Sequence, residues 1–448
     1  MGRRSSGAVT PMVNQGDTSF VIFSLALVML MTPGLALFYG GMVRGQNVLA
    51  TIMHSFTLLG LISLQWALFG YSLAFGPDHW GLIGDFFSWF GLAGVGAAPN
   101  PDYAATIPHQ AFMLFQMMFA VITPALICGA YAERMKFPAF ILFSLLWSTL
   151  IYDPLCHWVW GCGGWMRNLG VLDFAGGVVV HISSGASALA CAMFLGPRRG
   201  YRKSPFLPHN LPMTILGAGL LWFGWFGFNA GSALAAGGLA VSAATVTHLA
   251  SAAGAVAWMS AEWFHQGKPT TLGLVSGAVA GLATITPASG FVGPMAAILI
   301  GLVAGALCYW GVSLKWKFGY DDSLDVVGVH GLGSTWGVLA VGLFASQAIN
   351  PAGADGLLHG GGSLLAAQAL AVVVAWVLGF GGSWLLLLLV DSLVGLRVSA
   401  QEEMEGLDLS LHGETGYTGT GGGSFAPASD MGQSGGIAAR PALDSHGH

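Results

Sequence analysis

Charged side chains are scarce in this sequence. Only 8% of the 448 residues are Asp, Glu, Lys or Arg, whereas about a quarter of the residues in a typical soluble protein are charged. Hydrophobic residues make up 54% of the chain. This composition excludes an ordinary soluble domain and predicts a protein embedded in a lipid bilayer. The net charge of −5 also argues against nucleic acid as a partner.

Recognisable metal, redox and catalytic patterns are also missing. None of the five cysteines has the spacing of a zinc or redox site, and each lies in or next to an apolar segment, so we expect small buried side chains. No nucleophile–base pair falls at a membrane-embedded position. The sequence therefore predicts no cofactor, no metal and no enzyme. The cysteines are Cys128, Cys156, Cys162, Cys191 and Cys308.

Long apolar runs dominate the chain. About 20 apolar residues in a helix span a bilayer core of about 30 Å, and the runs are too long and too apolar for the alternating strands of a membrane barrel. The sequence predicts an all-α membrane protein with eleven transmembrane helices. The runs lie at roughly 19–39, 48–75, 110–132, 137–160, 174–195, 211–230, 241–264, 271–288, 293–314, 327–348 and 366–394.

The basic residues predict the orientation of these helices. With the N-terminus outside, the inside loops and tail hold twelve Lys and Arg residues, and the outside holds only Arg3, Arg4 and Arg167. Basic residues concentrate on the cytoplasmic side of membrane proteins. We therefore expect the N-terminus outside and the C-terminus inside, in a multi-pass protein of the cell inner (plasma) membrane.

Four segments follow from this reading. Residues 1–16 are expected to form a flexible extracellular leader, and 17–394 the transmembrane domain. Residues 395–417 are acidic and predict an ordered cytoplasmic tail. Residues 418–448 are rich in Gly, Ser, Ala and Pro, a composition that predicts disorder.

Two histidines lie inside long apolar runs, where a titratable side chain is costly and is a candidate for function. Asp173 precedes His181 by eight residues, and Asp322 precedes His330 by eight residues. The two copies lie on the fifth and tenth helices and so run in opposite directions, which indicates an inverted repeat of five plus five helices followed by a final helix. Eight residues at 1.5 Å rise give about 12 Å of depth. Both histidines should meet near the membrane midplane.

The chemistry of such a site limits its substrate. A bare cation without a carboxylate partner would bear a large desolvation cost in an apolar pore. Neutral imidazoles offer a donor and an acceptor and can relay a proton. A small neutral polar molecule, or a cation that sheds a proton, fits these properties. Two facing histidines could instead bind a haem, but that would leave the aspartate spacing unexplained.

Several longer motifs resemble signatures of the ammonium transporter family (Amt/Mep/Rh), of bacterial Amt type. The resemblance covers roughly 17–417, and the tail from Gly395 to Glu414 also resembles the bacterial Amt tail. It implies a homotrimer with one pore in each subunit. The motifs lie at 33–41, 129–134, 173–177 followed by His181, 208–212, 224–232 and 327–331.

The resemblance also implies a mechanism. An outer aromatic site recruits ammonium, the ion loses its proton, and ammonia crosses a hydrophobic twin-histidine pore while the proton is translocated too. The matched positions are Trp160, Ser232, Phe119 and Asp173 for the outer recruitment site, His181 and His330 for the twin histidines, and Phe119, Phe228, Phe115, Trp225 and Val326 for the gate and lining of the pore.

Simpler roles exist for some of these residues. Phe119 and Phe228 lie in Phe-rich helices and could only pack, Trp160 could anchor a helix end at the membrane interface, and Asp173 could only cap a helix. The loop after Trp160 is one residue longer than the family pattern. Leu324 stands where relatives often have Cys.

A second function class is an ammonium sensor that acts through a cytoplasmic partner. The tail of about 54 residues is too short and polar for a kinase or cyclase domain, so a sensor would need a separate protein. In bacterial relatives a PII-type regulatory protein docks on the cytoplasmic face. The tail up to Tyr417 resembles that docking platform, and we expect such a partner here.

Overall fold

The computed structural model describes residues 12–417, and these are predominantly helical. Residues 1–11 of the predicted leader and all of the predicted disordered segment 418–448 lie outside the described part. The main helices are α1 Gln15–Met42, α2 Gly45–Phe75, α3 His109–Tyr131, α4 Phe137–Asn168, α5 Gly177–Leu195, α6 Leu211–Gly231, α7 Gly238–Gln266, α8 Thr271–Ile285, α9 Pro294–Phe318, α10 Val327–Phe344 and α11 Ser363–Val394.

Ten of these helices are long and apolar enough to cross a membrane. The exception within residues 12–417 is α8, whose 15 residues span about 22 Å at 1.5 Å per residue. The chain beyond α8 continues as buried turns around Pro287. Irregular backbone at membrane depth is tolerated where protein surrounds it. The predicted run at 271–288, the eighth of eleven, is therefore a short helix followed by a buried irregular segment.

Glycine lets neighbouring helices approach closely. A Cβ atom on Gly217 of α6 would lie 2.3 Å from the backbone nitrogen of Phe38 on α1. A Cβ atom on Gly281 of α8 would lie 2.3 Å from the carbonyl oxygen of Ala250 on α7. Small residues at such contacts are typical of tight membrane bundles. The abundant glycine thus brings α1 against α6 and α8 against α7.

The two helices that carry the histidines begin in the same way. Both α5 and α10 open with a π-helical turn, Gly177–Ile182 and Val327–Leu332. The Asp173 carboxylate accepts hydrogen bonds from four backbone N–H groups at the start of α5, and Asp322 accepts one from Val327 at the start of α10. An inverted repeat predicts this correspondence, because each aspartate caps the equivalent helix of its half.

A short hairpin and a pair of short helices flank the main helices. In the loop between α2 and α3, strands β1 Asp78–His79 and β2 Ile83–Gly84 pair antiparallel. After α11, the short helices α12 Ala400–Glu405 and α13 Leu407–His412 fold back on the bundle. The Asp408 carboxylate accepts hydrogen bonds from the backbone N–H groups of Leu49 (3.0 Å) and Ala50 (2.8 Å), so this tail caps the start of α2.

A buried ionic cluster joins the loops at the end of the bundle where the C-terminal helices α12 and α13 pack. Glu133 receives Arg44 Nε at 2.9 Å and Arg198 Nη1 at 2.7 Å, and Asp321 receives Arg198 Nε at 2.9 Å. Burial by itself would raise the pKa of Glu133, but the charges of Arg198 and Arg44 outweigh it and hold that pKa below its ordinary value of 4.5. The cluster therefore stabilises the fold above that pH and loses its contribution as the pH falls through the lowered pKa.

Replacing Glu133 should destabilise the protein strongly. We expect Glu133→Ala to cost on the order of 3–5 kcal/mol, since it removes one partner of a buried ion pair and leaves Arg198 with an incomplete set of acceptors. Thermal unfolding in detergent measures the change. The matched control is Glu405→Ala, which removes an exposed carboxylate of the tail. Equal melting temperatures for the two variants would contradict the role assigned to this cluster.

Candidate functional site

A wide cavity opens near the starts of α3 and α5 and the ends of α4 and α6. Its volume is about 520 Å³. Four residues singled out from the sequence line it, namely Phe119, Trp160, Asp173 and Ser232. They come from distant parts of the chain, so it is the fold that brings them together. We call this space the wide cavity.

Hydrogen bonds hold two of these side chains in place. Trp160 Nε1 donates to the carbonyl oxygen of Asp173 at 2.8 Å, which fixes the indole ring at the cavity wall. Ser232 Oγ donates to the carbonyl oxygen of Phe228 at 2.9 Å. The Ser232 hydroxyl donates its only proton in that bond, so its oxygen can only accept a further hydrogen bond. The wall therefore combines an aromatic face and a hydroxyl acceptor, both suited to a small N–H cation.

Asp173 has two relations to this cavity. Its carboxylate lies 2.6 to 3.2 Å from the backbone nitrogens of residues 176–179, so it caps α5. The residue also lines the wide cavity. The cap explains its position, and the same carboxylate borders the cavity beside Trp160 and Ser232.

An aromatic series leads inward from the wide cavity. The Trp160 and Phe119 rings meet edge to face at 6.0 Å, and the Phe119 and Phe228 rings lie 4.3 Å apart. Phe228 is followed by His181, with ring centroids 6.0 Å apart and nearly parallel. Phe119 and Phe228 are each 1% exposed, so they close the passage between the wide cavity and the histidines.

His181 and His330 are in direct contact. Their Nδ1 atoms lie 3.2 Å apart, and their rings are nearly parallel with centroids 5.1 Å apart. A hydrogen bond at this distance needs a proton on one Nδ1 and a lone pair on the other, so the two rings adopt different tautomers and share one proton. Both rings are buried. An imidazolium here would place a charge in apolar surroundings, which favours the neutral pair.

Apolar side chains surround the pair on both sides. A narrow cavity of about 10 Å³ is lined by His181, His330 and Trp225, together with Met31, Leu35, Phe38, Ile122, Leu126, Val180, Leu221, Phe228 and Val279. A second narrow cavity, of about 20 Å³, lies on the other side of His330 and includes Leu324 and Asp325. These volumes suit a molecule of about the size of water and no larger.

Two predicted pore residues lie behind the cavity walls. Phe115 packs against the Phe119 ring, with centroids 5.0 Å apart, and does not line the wide cavity or either narrow one. Val326 is fully buried, and a Cβ atom on Gly129 would lie 2.7 Å from it. It also lines none of these cavities. Trp225 does line the first narrow cavity, and its Nε1 donates to Thr286 Oγ1 at 2.9 Å.

Sequence reasoning missed several residues of the site. Thr286 orients Trp225, yet it lies in an irregular segment that had been assigned to a helix. Met31, Leu35 and Phe38 of α1 line the narrow cavity, but hydrophobic residues on an apolar helix give no distinguishing signal. Arg167 lines the wide cavity and donates to the carbonyl oxygen of Trp160 at 2.8 Å and to Cys162 Sγ at 3.2 Å. It thereby braces the longer loop after Trp160.

Comparison with known proteins gives a consistent result. The Ammonium Transporter Family model matches residues 19–417. An ammonium transporter of Bacillus subtilis (strain 168) is 55% identical over 406 residues, covering 90% of this chain and 99% of the relative. The crystal structure of Saccharomyces cerevisiae Mep2 superposes with a TM-score of 0.82 at 34% identity, over 87% of this chain and 88% of that one.

A solved structure named Sensor Amt Protein is also similar, with a TM-score of 0.81 at 29% identity, over 89% of this chain and 98% of that one. The match of the family model over most of the chain, the named relative and the shared architecture agree with the arrangement of the site. This chain belongs to the ammonium transporter family.

Proposed function

We propose that this protein recruits ammonium at the wide cavity, removes its proton and conducts ammonia past the histidine pair. The observation that carries the proposal is the His181–His330 contact, 3.2 Å between Nδ1 atoms, set in an otherwise apolar passage. Among residues 12–417, no acidic or basic residue lines the first narrow cavity apart from the histidine pair, and such a lining favours a neutral substrate over an ion.

Recruitment uses the aromatic and polar wall of the wide cavity. Ammonium binds against Trp160 and Phe119, donates a hydrogen bond to Ser232 Oγ, and is attracted by the Asp173 carboxylate. Cation–π contact contributes about 0.5–2 kcal/mol, and most with Trp. This is enough to concentrate the ion without trapping it.

Selectivity follows from proton loss. Ammonium can leave its proton before passing Phe119 and Phe228, and ammonia then exchanges hydrogen bonds with the two imidazoles. Potassium has no proton to lose and would enter the narrow cavity as a bare ion, at a large cost in desolvation. The shared proton of the histidine pair offers a route for the proton of ammonium, so transport carries charge and responds to the membrane potential.

We place the wide cavity outside and the tail in the cytoplasm. The protein crosses the inner (plasma) membrane eleven times, and the short α8 is one of these spans. The biological unit is a homotrimer with one pore in each subunit. The charge asymmetry of the loops supports this orientation, since twelve basic residues then lie inside.

A sensor role is the second candidate, favoured by the similarity to the solved structure named Sensor Amt Protein. A sensor would bind ammonium in the wide cavity and pass no current. The tail, which caps α2 through Asp408, would then report occupancy to a partner. The same transport measurement separates the two functions.

Purified protein in liposomes should give a transient current after an ammonium concentration jump. A potassium jump should give none, because potassium cannot shed a proton. The double variant His181→Ala, His330→Ala should lose the current or carry both ions, because the proton-sharing pair is gone. Solid-supported-membrane recording measures these currents.

No current in the wild-type protein would contradict charged transport. A pH dye inside the same liposomes then decides between the remaining functions. An internal alkalinisation would indicate electroneutral ammonia conduction, and no pH change would indicate the sensor.

Trp160 should govern apparent affinity more than maximal rate. Trp160→Leu should raise the ammonium concentration for half-maximal current by about 2- to 30-fold, the range that corresponds to a cation–π contribution of about 0.5–2 kcal/mol. Trp158→Leu is the matched control, because Trp158 lies two positions away and does not line the wide cavity. An equal shift in both variants would contradict recruitment by Trp160.

The tail should bind a regulatory partner. A truncation that removes 399–448 should abolish capture of a PII-type protein from nitrogen-replete cells, whereas removing only 418–448 should preserve capture because the helices α12 and α13 remain. The first truncation keeps Val398, whose N–H donates to the carbonyl oxygen of Arg134. Failure of the intact protein to capture such a regulator would overturn this assignment.

A further inference from the structure

A carboxyl group is buried between α2 and α4, away from the histidine site. Asp153 is fully buried and Gln65 is 2% exposed. Gln65 Nε2 donates to Asp153 Oδ2 at 2.7 Å and also lies 3.3 Å from Thr149 Oγ1. Neither Asp153 nor Gln65 lines the wide cavity or the two narrow cavities. The transport mechanism therefore makes no use of this pair.

Local backbone structure creates the room for it. Gln65 directly precedes a π-helical turn in α2, Trp66–Gly70, and Asp153 directly follows one in α4, Ser148–Tyr152. A Cβ atom on Gly70 would lie 2.7 Å from both the nitrogen and the oxygen of the Gln65 amide. The extra residue in a π-turn changes the direction of the side chains that follow it, and Asp153 is such a side chain. Gln65, which precedes its π-turn, and Asp153 are both buried, while Leu64 and Leu150 beside them are exposed.

Two acceptor atoms of this pair have no donor. Asp153 Oδ1 and Gln65 Oε1 are both buried and without a hydrogen-bond partner. Both amide protons of Gln65 already point to Asp153 Oδ2 and Thr149 Oγ1. Leaving two buried acceptors unpaired would destabilise the fold, because each has lost its hydrogen bonds to water. One additional proton between these two oxygens would satisfy both.

No positive charge offsets an ionised carboxylate at this position. Within residues 12–417, none of the ion pairs involves Asp153. The neighbouring ionisable groups on the same helix, Tyr152 and Cys156, are buried and cannot supply a cation. The carboxylate of Asp173 acts on the same two side chains and adds negative charge to the region.

We propose that Asp153 is a proton-binding site within the membrane, held as a neutral carboxylic acid whose Oδ1–H donates to Gln65 Oε1. Together with the Gln65 Nε2 to Asp153 Oδ2 bond, this makes a reciprocal acid–amide pair with two hydrogen bonds. The pair joins α2 to α4 without placing a charge in the bundle. It requires no bound cation.

Four variants test the pair by thermal unfolding. Asp153→Asn should melt close to the wild-type temperature, because its amide N–H replaces the acid O–H as donor to Gln65 Oε1. Asp153→Leu and Gln65→Leu should each melt several degrees lower, since each orphans the partner's polar atoms. The double variant should recover much of that loss, because it removes both polar groups together.

Infrared spectroscopy detects the proton on the Asp153 carboxyl group directly. The difference spectrum between wild type and Asp153→Asn at neutral pH should contain the C=O stretch of a protonated carboxylic acid, shifted in deuterated water. This readout holds even if Asp153→Leu does not fold.

A carboxylate band in its place, or an Asp153→Asn variant as unstable as Asp153→Leu, would overturn the proposal. Stabilisation of the wild type by sodium or potassium, absent in Asp153→Asn, would likewise overturn it and would assign the two oxygens to a bound cation.

Discussion

Polar groups inside an apolar bundle have no water to bind, and this constraint governs where each kind of polar side chain lies. Buried ion pairs, such as Glu133 with Arg198, occupy the loops beyond the helix ends. Deep within the helices the polar contacts are between groups that can be neutral, as for the two histidines or Asn229 with Thr247.

Helix packing depends on the same constraint. Because α1 and α6 meet through glycine, their backbones approach closely and leave only narrow cavities between the side chains. A polar group that faces such a cavity is fixed by a second residue, as Thr286 fixes Trp225. The small volumes of these cavities follow from the close helix approach and from side chains fixed in this way.

The parts of this arrangement that could be predicted from sequence are those with a physical period or a costly residue. Long apolar runs predict helices, and a histidine with an aspartate eight residues earlier predicts a capped helix with a polar group at depth. The contact between His181 and His330 follows from two such copies in opposite directions. By contrast, the end of α8 at Ile285 lies inside a long apolar run, and only the turn-forming residues Pro287, Ser289 and Gly290 after it mark the break. Val326, which the family resemblance matched to the pore lining, lines none of the three cavities.

The acid–amide pair of Gln65 and Asp153 shows why some polar sites escape sequence reasoning. Asp153 alone resembles a helix-end polar residue, since it is followed by Pro154, a combination typical of a helix start. Only the three-dimensional contact shows that its side chain and that of Gln65 face each other inside the bundle. Like the two histidines, the acid and the amide are both neutral where they meet inside the bundle. A carboxyl group can therefore persist in the membrane interior without competing with the wide cavity for cations, because its proton replaces the counter-ion that an ionised group would need.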